Sequence, residues 1–484
     1  MHVSYLKKSK RMCVSCERLV QTSCRGVRLQ VRPAEVAAVL RGPALRKTAV
    51  QPEGQVAPQL RPPRQGKQWR GSYGRILRRF SVNTADRSEL EVRAKQMPPF
   101  WRCIVRMFAP GDYVKFGFPM AYTTTVLAWT VVDHAAAYQK AGVLADAREA
   151  VKWATDYFIK CHVSEFVLYG QVGQGQVDHN SWTQPEDMTE ARPAYKITAS
   201  APGSDLAAET AAAFAASYMV FKSVDANYAK KLLVHAEQLM KFAITYKGKY
   251  SDSISDAKNF YASSGYVDEL VWGAAWLYRA TGSKTYLEIV DQYYSSIMYN
   301  DGFGWDSKKS GADAVLYKVT KVDKYKERLK AYCDYNFNSQ KKTPKGLIFL
   351  GDWGSLRSNA NFLFICSEAA NMGIETASYR AGVTKQIGYY LGETGFSYVI
   401  GYGSKYPKYA HHRSSSCPDH PATCGWDFFN GNTPNHHVLE GALVGGPSAD
   451  DSYTDTRKDA QHNEVACDYN AAFQGVIANL VEHN

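Results

Sequence analysis

The chain has 484 residues and a formal net charge of +12, enough for two or three average domains or for one large helical domain. Residues 1–100 carry 21 basic against 6 acidic residues, a balance of +15, whereas residues 101–484 carry 37 against 40. The positive charge therefore belongs to one end of the chain and does not make the rest a nucleic-acid-binding protein. No run of about 18 apolar residues occurs, so no membrane-spanning helix is expected.

Residues 1–108 form a basic segment with scattered prolines and short apolar runs, and this composition predicts disorder. The first twenty residues, MHVSYLKKSKRMCVSCERLV, lack the apolar centre of a secretion signal. A basic arm that binds nucleic acid is an alternative, but aromatic residues do not interleave with its charges in the expected way.

From about residue 120 the sequence predicts amphipathic helices separated by loops rich in glycine and aromatic residues. We expect eleven helices, which begin near positions 123, 144, 205, 226, 267, 283, 311, 324, 358, 376 and 463. Short turns such as YRATGSKTY are typical of α-hairpins, and the lack of a fixed repeat favours a closed α/α barrel over an open solenoid. Six hairpins need twelve helices, so the predicted set is one short.

The long loops contain residue types that suit a polysaccharide site. Flat aromatic faces stack on sugar rings, and the loops contain Trp182, Trp305, Trp353 and Trp426. Each tryptophan could instead pack against a helix end. Hydrolysis of a glycosidic bond also needs a carboxylate base and a carboxylic acid. Asp112, in FAPGDYVKFGF, and Glu464, beside an apolar run, are candidates, although either could be an ordinary helix cap or surface acid.

Several segments resemble glycoside hydrolase family 9: GDYVKFGFPMAYT, DHNSWTQPEDM, SSGYVDELVWGAAWLYRATG, GDWGSLRSNANF, SYVIGYGSKYPKYAHHRSSSC and NEVACDYNAAFQG. The resemblance covers residues 109–484 and implies an all-α (α/α)6 barrel. It also implies an inverting endo-β-1,4-glucanase, a cellulase that degrades cellulose or related β-1,4-glucans. The implied protein is a monomer that is secreted and needs no catalytic cofactor, although this chain shows no recognisable signal peptide.

The resemblance also assigns roles to individual residues. It implies that Asp112 is the catalytic base and Glu464 the catalytic acid, with their carboxyl groups roughly 6.5–9.5 Å apart as inversion requires. The substrate-binding residues implied are His179 and Tyr261 beside the cleaved bond, His411 and Arg413 on sugar hydroxyls, and Trp353 and Tyr469 stacked on glucose.

A structural calcium ion is a further implication, because some family members bind one through a Ser-Gly-x-x-Asp-Glu segment and a later Trp-Asp. The matching residues here are Ser264, Gly265, Asp268, Glu269 and Asp306. Oxygen ligands of this kind suit a hard cation. The alternative is a capped helix start, since Ser264 and Asp268 could both serve as caps.

One departure from the family lies upstream. The family motif Asp-Ala-Gly-Asp reads Ala109-Pro-Gly-Asp112 here, and nothing in residues 1–108 matches the family. We therefore expect a barrel without its first helix, with residues 1–108 encoded by an alternative or mispredicted first exon. Because Ala109 replaces an aspartate that helps to hold the attacking water, a catalytically impaired cellulose-binding homologue is an alternative interpretation.

The cysteines give a separate set of expectations. Cys417 and Cys424 lie seven residues apart in a loop and could close a small disulfide. Cys161, Cys333, Cys366 and Cys467 lie in apolar, helix-like stretches and are expected to be buried thiols.

Overall fold

The computed structural model describes residues 112–297 and 302–483, and it is predominantly helical. The helices of ten residues or more are α1 (Gly117–Asp133), α3 (Leu144–Cys161), α5 (Ser204–Phe221), α6 (Ala226–Thr245), α8 (Val267–Thr281), α9 (Lys284–Tyr293), α10 (Lys309–Thr320), α11 (Asp323–Asp334), α12 (Ser355–Asn371), α13 (Thr376–Tyr390) and α17 (Cys467–His483). The shorter ones are α2 (Ala135–Ala141), α4 (Gly175–His179), α7 (Tyr250–Ser253), α14 (Arg413–Ser416), α15 (Trp426–Asn430) and α16 (Ala460–Asn463). The eleven long helices match the eleven predicted ones.

Six of the long helices form a closed inner ring, in which each packs against the next in the order α1, α5, α8, α10, α12, α17 and back to α1. Their sequences explain this position. Nearly every residue of α5, SDLAAETAAAFAASYMVF, is buried, as expected for a helix that is covered on all sides. The small alanine side chains also allow close packing against the neighbouring helices. The predicted α/α barrel is confirmed.

The other five long helices, α3, α6, α9, α11 and α13, pack outside this ring. They are amphipathic, and α6 for example buries Leu232, Leu239 and Phe242 while its lysines face outward. Within residues 112–297 and 302–483 the outer layer has no sixth long helix between α17 and α1. The expectations for residues 1–108, including the missing first helix, lie outside the described residues.

The alternation of inner and outer helices makes all inner helices point in one direction, because each hairpin reverses the chain. The residues that precede the inner helices therefore gather at one end of the barrel. Asp112 precedes α1, Tyr261 precedes α8, Trp353 precedes α12 and Glu464 precedes α17. The fold itself thus brings together residues as far apart in the sequence as Asp112 and Glu464, which are separated by 352 positions.

A small antiparallel sheet covers part of this end. It contains β1 (Lys115–Phe116), β2 (His162–Ser164), β3 (Val167–Val172) and β4 (Ala194–Thr198). Strand β3 pairs with all three others, and Phe116 of β1 lies opposite Gln171. This pairing holds the chain that leads from Asp112 into α1.

Two disulfides join described cysteines. Cys417 and Cys424 are bonded, as predicted. Cys333 of α11 is bonded to Cys366 of α12, so the prediction of two buried thiols was wrong there. Cys161 also takes part in a disulfide. None of the helices in the described ranges is both long enough and apolar enough to cross a bilayer.

Candidate active site

Asp112 lies in the loop before α1, where its side chain is only partly exposed. Its Oδ1 is 3.2 Å from Nη2 of Arg413 and 3.6 Å from Nε2 of His179. The His179 ring stacks on Phe260 at 5.0 Å between centroids, and its Nδ1 lies 2.7 Å from the carbonyl of Gly175. These contacts hold the carboxylate in place while leaving part of it open to solvent, which suits a base that must reach a water molecule.

Arg413, the first residue of α14, binds protein groups and not the open cleft that its expected role in sugar binding would require. Its side chain is 3% exposed. Nη1 donates to the carbonyls of Asp178 and Ser181, at 2.7 and 3.0 Å, and Nη2 donates to the carboxylates of Asp112 and Asp178. Because these protein oxygens take up both terminal nitrogens, the structure does not support the expectation that Arg413 binds sugar hydroxyls.

Glu464 lies in an extended segment between α16 and α17, before the last helix, which begins at Cys467 and not near 463 as predicted. Two neighbouring segments fix its backbone: the Glu464 carbonyl accepts from the Gly445 N–H at 2.9 Å, and the preceding carbonyl, of Asn463, accepts from His411 N–H at 2.9 Å. Burial, with added repulsion from Asp112 and Asp468, raises the pKa of the Glu464 carboxyl to about 8. The group therefore retains its proton at neutral pH and can act as an acid.

Tyr469 contacts this acid directly, and its role differs from the stacking role expected. The residue is 1% exposed, its ring lies under the Arg357 guanidinium at 5.1 Å, and its hydroxyl donates to Glu464 Oε2 at 3.2 Å. A glucose ring has no access to such a covered face. Gly354, in left-handed conformation, passes so close that a Cβ there would meet the hydroxyl at 3.0 Å. Tyr469 thus orients the acid.

His411 and Tyr261 lie beside the two carboxyl groups. Burial lowers the pKa of His411, so its ring is neutral, and Nδ1 donates to the Arg457 carbonyl at 2.6 Å. This assigns Nε2 as a hydrogen-bond acceptor that suits a sugar hydroxyl. Tyr261 packs between Phe116 and Trp305; burial raises its pKa, and the negative charges of Glu464 and Asp112 add to the rise. The structure therefore brings both residues to the same site as the carboxyl pair.

Aromatic side chains border the site on two sides. Trp353 is 54% exposed and Trp426 46% exposed, so both can offer a ring face to a ligand. Trp182 is buried and supports Trp426, at 6.1 Å between ring centroids, and its Nε1 donates to Ser416 at 2.9 Å. Trp305 contacts Phe118 and Tyr261 inside the fold. Two of the four loop tryptophans are thus packing residues.

Arg457 connects the Trp426 loop to His411. It is buried, and its guanidinium donates to the carbonyls of Phe428, Gly431 and Thr433 and to the side chain of Asn435. Its own carbonyl is the one that accepts from His411. Sequence reasoning missed both Arg457 and Asp178. The role of a buried charged residue becomes visible only when the structure shows which groups it binds. For Asp178 the available signal was its place directly before His179.

The predicted calcium ligands fit only in part. Asp306 Oδ1 accepts from Ser264 N–H and Asp268 Oδ2 from Lys308 N–H, both at 2.9 Å, and these two acids could hold a cation with backbone oxygens of residues 264 and 265. The carboxylate of Glu269 instead faces Lys308 Nζ at 3.1 Å inside the barrel. The capped-helix alternative is wrong, since Tyr266 is the N-cap of α8 and no side chain caps it.

A closed α/α barrel with two unlike carboxyl groups and exposed aromatic rings at one end is the arrangement expected for an all-helical glycoside hydrolase family. A model of glycosyl hydrolase family 9 matches residues 107–477. The chain belongs to this family, as the sequence motifs implied.

Known relatives agree with this assignment. An endoglucanase from the termite Nasutitermes takasagoensis is 57% identical, with a TM-score of 0.76 over 77% of this chain and 87% of the other. Endoglucanase A of Bacillus pumilus is 43% identical over 77% of this chain but only 58% of its own length. A cellulase of C. cellulolyticum, solved with cellobiose, is 32% identical, with a TM-score of 0.71 over 78% of this chain and 87% of the other.

Proposed function

We propose that the protein is an inverting endo-β-1,4-glucanase that hydrolyses cellulose or related β-1,4-glucans. The observation that carries this proposal is the contrast between the two carboxyl groups. Glu464 retains its proton in a buried setting, whereas Asp112 is partly open to solvent and paired with Arg413. Two carboxyl groups in such different environments provide an acid and a base for one reaction.

The proposed reaction needs one water molecule and no cofactor. Asp112 takes a proton from the water as its oxygen attacks the anomeric carbon, and Glu464 gives its proton to the leaving glycosidic oxygen. The carbon–oxygen bond breaks, the new bond forms on the opposite face, and the product is the inverted hemiacetal. Proton exchange with solvent then returns Asp112 to its ionised form and Glu464 to its protonated form.

The surrounding residues would hold the glucan across this pair. We assign the sugar-hydroxyl contacts to His179 and His411, and the stacking contacts to Trp353 and Trp426. Tyr261 would line the cleaved bond. The cellobiose bound to the C. cellulolyticum relative is the kind of ligand that this arrangement would take.

The test is the release of reducing ends from carboxymethylcellulose, together with NMR of the newly formed anomer from a cello-oligosaccharide. We expect α-anomer product from the wild-type chain, and its release should be slower by at least about 10²-fold in Asp112→Asn and Glu464→Gln. Glu393→Gln is the control, because it makes the same substitution at a more exposed glutamate that lies beyond α13 and outside the site. A first-formed β-anomer would contradict inversion, and wild-type binding without hydrolysis would indicate the impaired homologue.

The same assay tests the role implied for position 109. Ala109→Asp restores the family motif, and we expect activity to rise on the order of 10²-fold if the added carboxylate helps to hold the water. An unchanged rate, with an intact fold, would show that Asp112 alone positions the water.

We also propose that the protein acts outside the cell as a monomer. The Cys333–Cys366 and Cys417–Cys424 disulfides support an oxidising compartment. Fractionation of the source tissue, with thiol labelling, would check the location, and light scattering after size exclusion would check the mass. Recovery only from the cytosol with reduced cysteines would contradict this proposal.

A further inference from the structure

Asp178 is a buried carboxylate at the inner edge of the site, in helix α4, with 6% of its side chain exposed. Both of its oxygens bind groups that also control Asp112. Oδ1 accepts from the backbone N–H of Tyr113 at 2.9 Å, one residue after the proposed base. Oδ2 accepts from Nη2 of Arg413. Asp178 therefore contacts the base through the chain on one side and through a guanidinium on the other.

Arg413 is shared between the carboxylates of Asp112 and Asp178. Asp178 orients the guanidinium through two groups, its carboxylate and its backbone carbonyl. Its Nη2 lies 3.2 Å from Asp112 Oδ1, while Nη1 donates at 2.7 Å to the backbone carbonyl of Asp178. The ring of Tyr113 lies 4.6 Å below the guanidinium and closes one face of it. A planar donor fixed by this many acceptors has little freedom to move toward Asp112 alone.

The charges explain why such sharing matters for catalysis. A single guanidinium facing a single carboxylate would stabilise the ionised form and make it a poor proton acceptor. A second negative charge on the same guanidinium divides that attraction and adds repulsion. The charged and titratable groups that influence this pair are Arg413, His179, His411, Tyr261 and Glu464. Glu186 and Arg192 act on the adjoining Tyr113.

We propose that Asp178 is a positioning residue for the catalytic base: it holds Arg413 and the Asp112 loop so that Asp112 stays oriented toward water and able to accept a proton. This inference rests on the proposed function, because it assigns Asp178 a part in the same reaction. Asp178 does not touch the reacting atoms, since both of its oxygens are occupied by protein donors.

The test compares Asp178→Asn with Asp313→Asn, which removes another buried aspartate–arginine pair, Asp313 Oδ2 to Arg328 Nε at 2.8 Å, away from the site. In Asp178→Asn the amide has only one acceptor oxygen, so its NH2 group faces a donor, either Arg413 Nη2 or the Tyr113 N–H. We expect kcat to fall by about 10- to 10²-fold with little change in KM. We also expect the acid limb of the rate profile to move down by roughly one pH unit. Asp313→Asn should lower Tm and leave the limb in place.

Two further variants separate charge from shape. Asp178→Glu keeps the charge, so the acid limb should stay near its wild-type position even though kcat falls. In an Arg413→Lys background, Asp178→Asn should lower kcat by a smaller factor than it does alone, because one of its two routes to Asp112 passes through Arg413. Unchanged kcat and acid limb in Asp178→Asn, or fully additive losses in the double variant, would overturn the proposal.

A readout that needs no turnover keeps this inference apart from the proposed function. The titration midpoint of the Asp112 carboxyl carbon can be followed by ¹³C NMR and assigned by its loss in Asp112→Asn. Asp178→Asn should lower that midpoint whether or not the wild-type chain hydrolyses glucan. An inactive wild type with the expected shift would refute the function alone, and an unchanged midpoint would refute the role of Asp178.

Discussion

Replacement of Glu464 by glutamine gives the sharpest prediction of how this site works. The substitution keeps the shape of the side chain and removes its proton. With a pKa of about 8 the acid is protonated in ~99% of molecules at pH 6, whereas the ordinary value of 4.5 would leave only ~3% protonated. The raised pKa, caused mainly by burial, thus makes the acid form about 30-fold more abundant at that pH. Removal of the donor should lower kcat on carboxymethylcellulose by about 10²- to 10⁴-fold.

The assay that isolates proton donation compares two leaving groups. An aryl cellobioside with a dinitrophenolate leaving group needs no protonation, so Glu464→Gln should retain its activity on it to within about 10-fold. The basic limb of the wild-type profile, expected near pH 8, should vanish in the variant. Equal losses on both substrates, or a basic limb that survives the substitution, would refute the assignment of Glu464 as the acid.

Four further predictions follow from other contacts. Tyr469→Phe removes a hydrogen bond that favours ionised Glu464, so the basic limb should move to higher pH; a shift to lower pH in the rate profile would contradict this. Lys308→Met leaves Glu269 without its buried partner and should cost about 3–5 kcal/mol in urea unfolding, whereas the partly exposed control Lys318→Met should cost less. Glu368 and Glu482 help to raise the pKa of buried His134 to about 10. Protonated His134 therefore stabilises the fold fully below pH 6.5, and this stabilisation is lost as pH rises toward 10. A free energy of unfolding that stays level across this range would contradict the prediction. Calcium at Asp268 and Asp306 should raise Tm over the EDTA-treated protein, and this gain should disappear in Asp306→Asn but not in Glu269→Gln.

The sequence was most informative where helices repeat a clear apolar pattern, since the eleven long helices follow directly from that pattern. It was less informative at their ends. Glu464 lies in an apolar run that suggested helix, but backbone hydrogen bonds to Gly445 and from His411 to Asn463 hold the segment extended. The start of α1 lies six residues before the predicted one because the buried segment GFPM, which follows β1 directly, already belongs to the helix.

In the candidate site, too, the sequence predicted some features well and others poorly. Motifs placed Asp112 and Glu464 correctly at one end of the barrel, because position along the chain determines which inner helix each precedes. They did not determine what each supporting side chain binds. Arg413 and Tyr469 face protein partners in place of sugar. The carboxylate of Asp178, which binds Arg413, lies 235 positions away in the sequence, and the guanidinium of Arg357 covers the ring of Tyr469. Such pairings depend on tertiary packing, which a local pattern does not encode.

The hydrogen bonds of Arg457 have a consequence for how this protein could be re-engineered. One side chain holds the backbone of the Trp426 loop, and the carbonyl of the same residue holds the ring of His411. The outer loop and the inner histidine are therefore not separable modules. A loop transplanted from another enzyme would need to reproduce the same set of carbonyl acceptors, or His411 would lose its orientation along with the loop. Exchange of substrate preference by grafting should accordingly succeed only with donor loops whose backbone carbonyls can accept from Arg457.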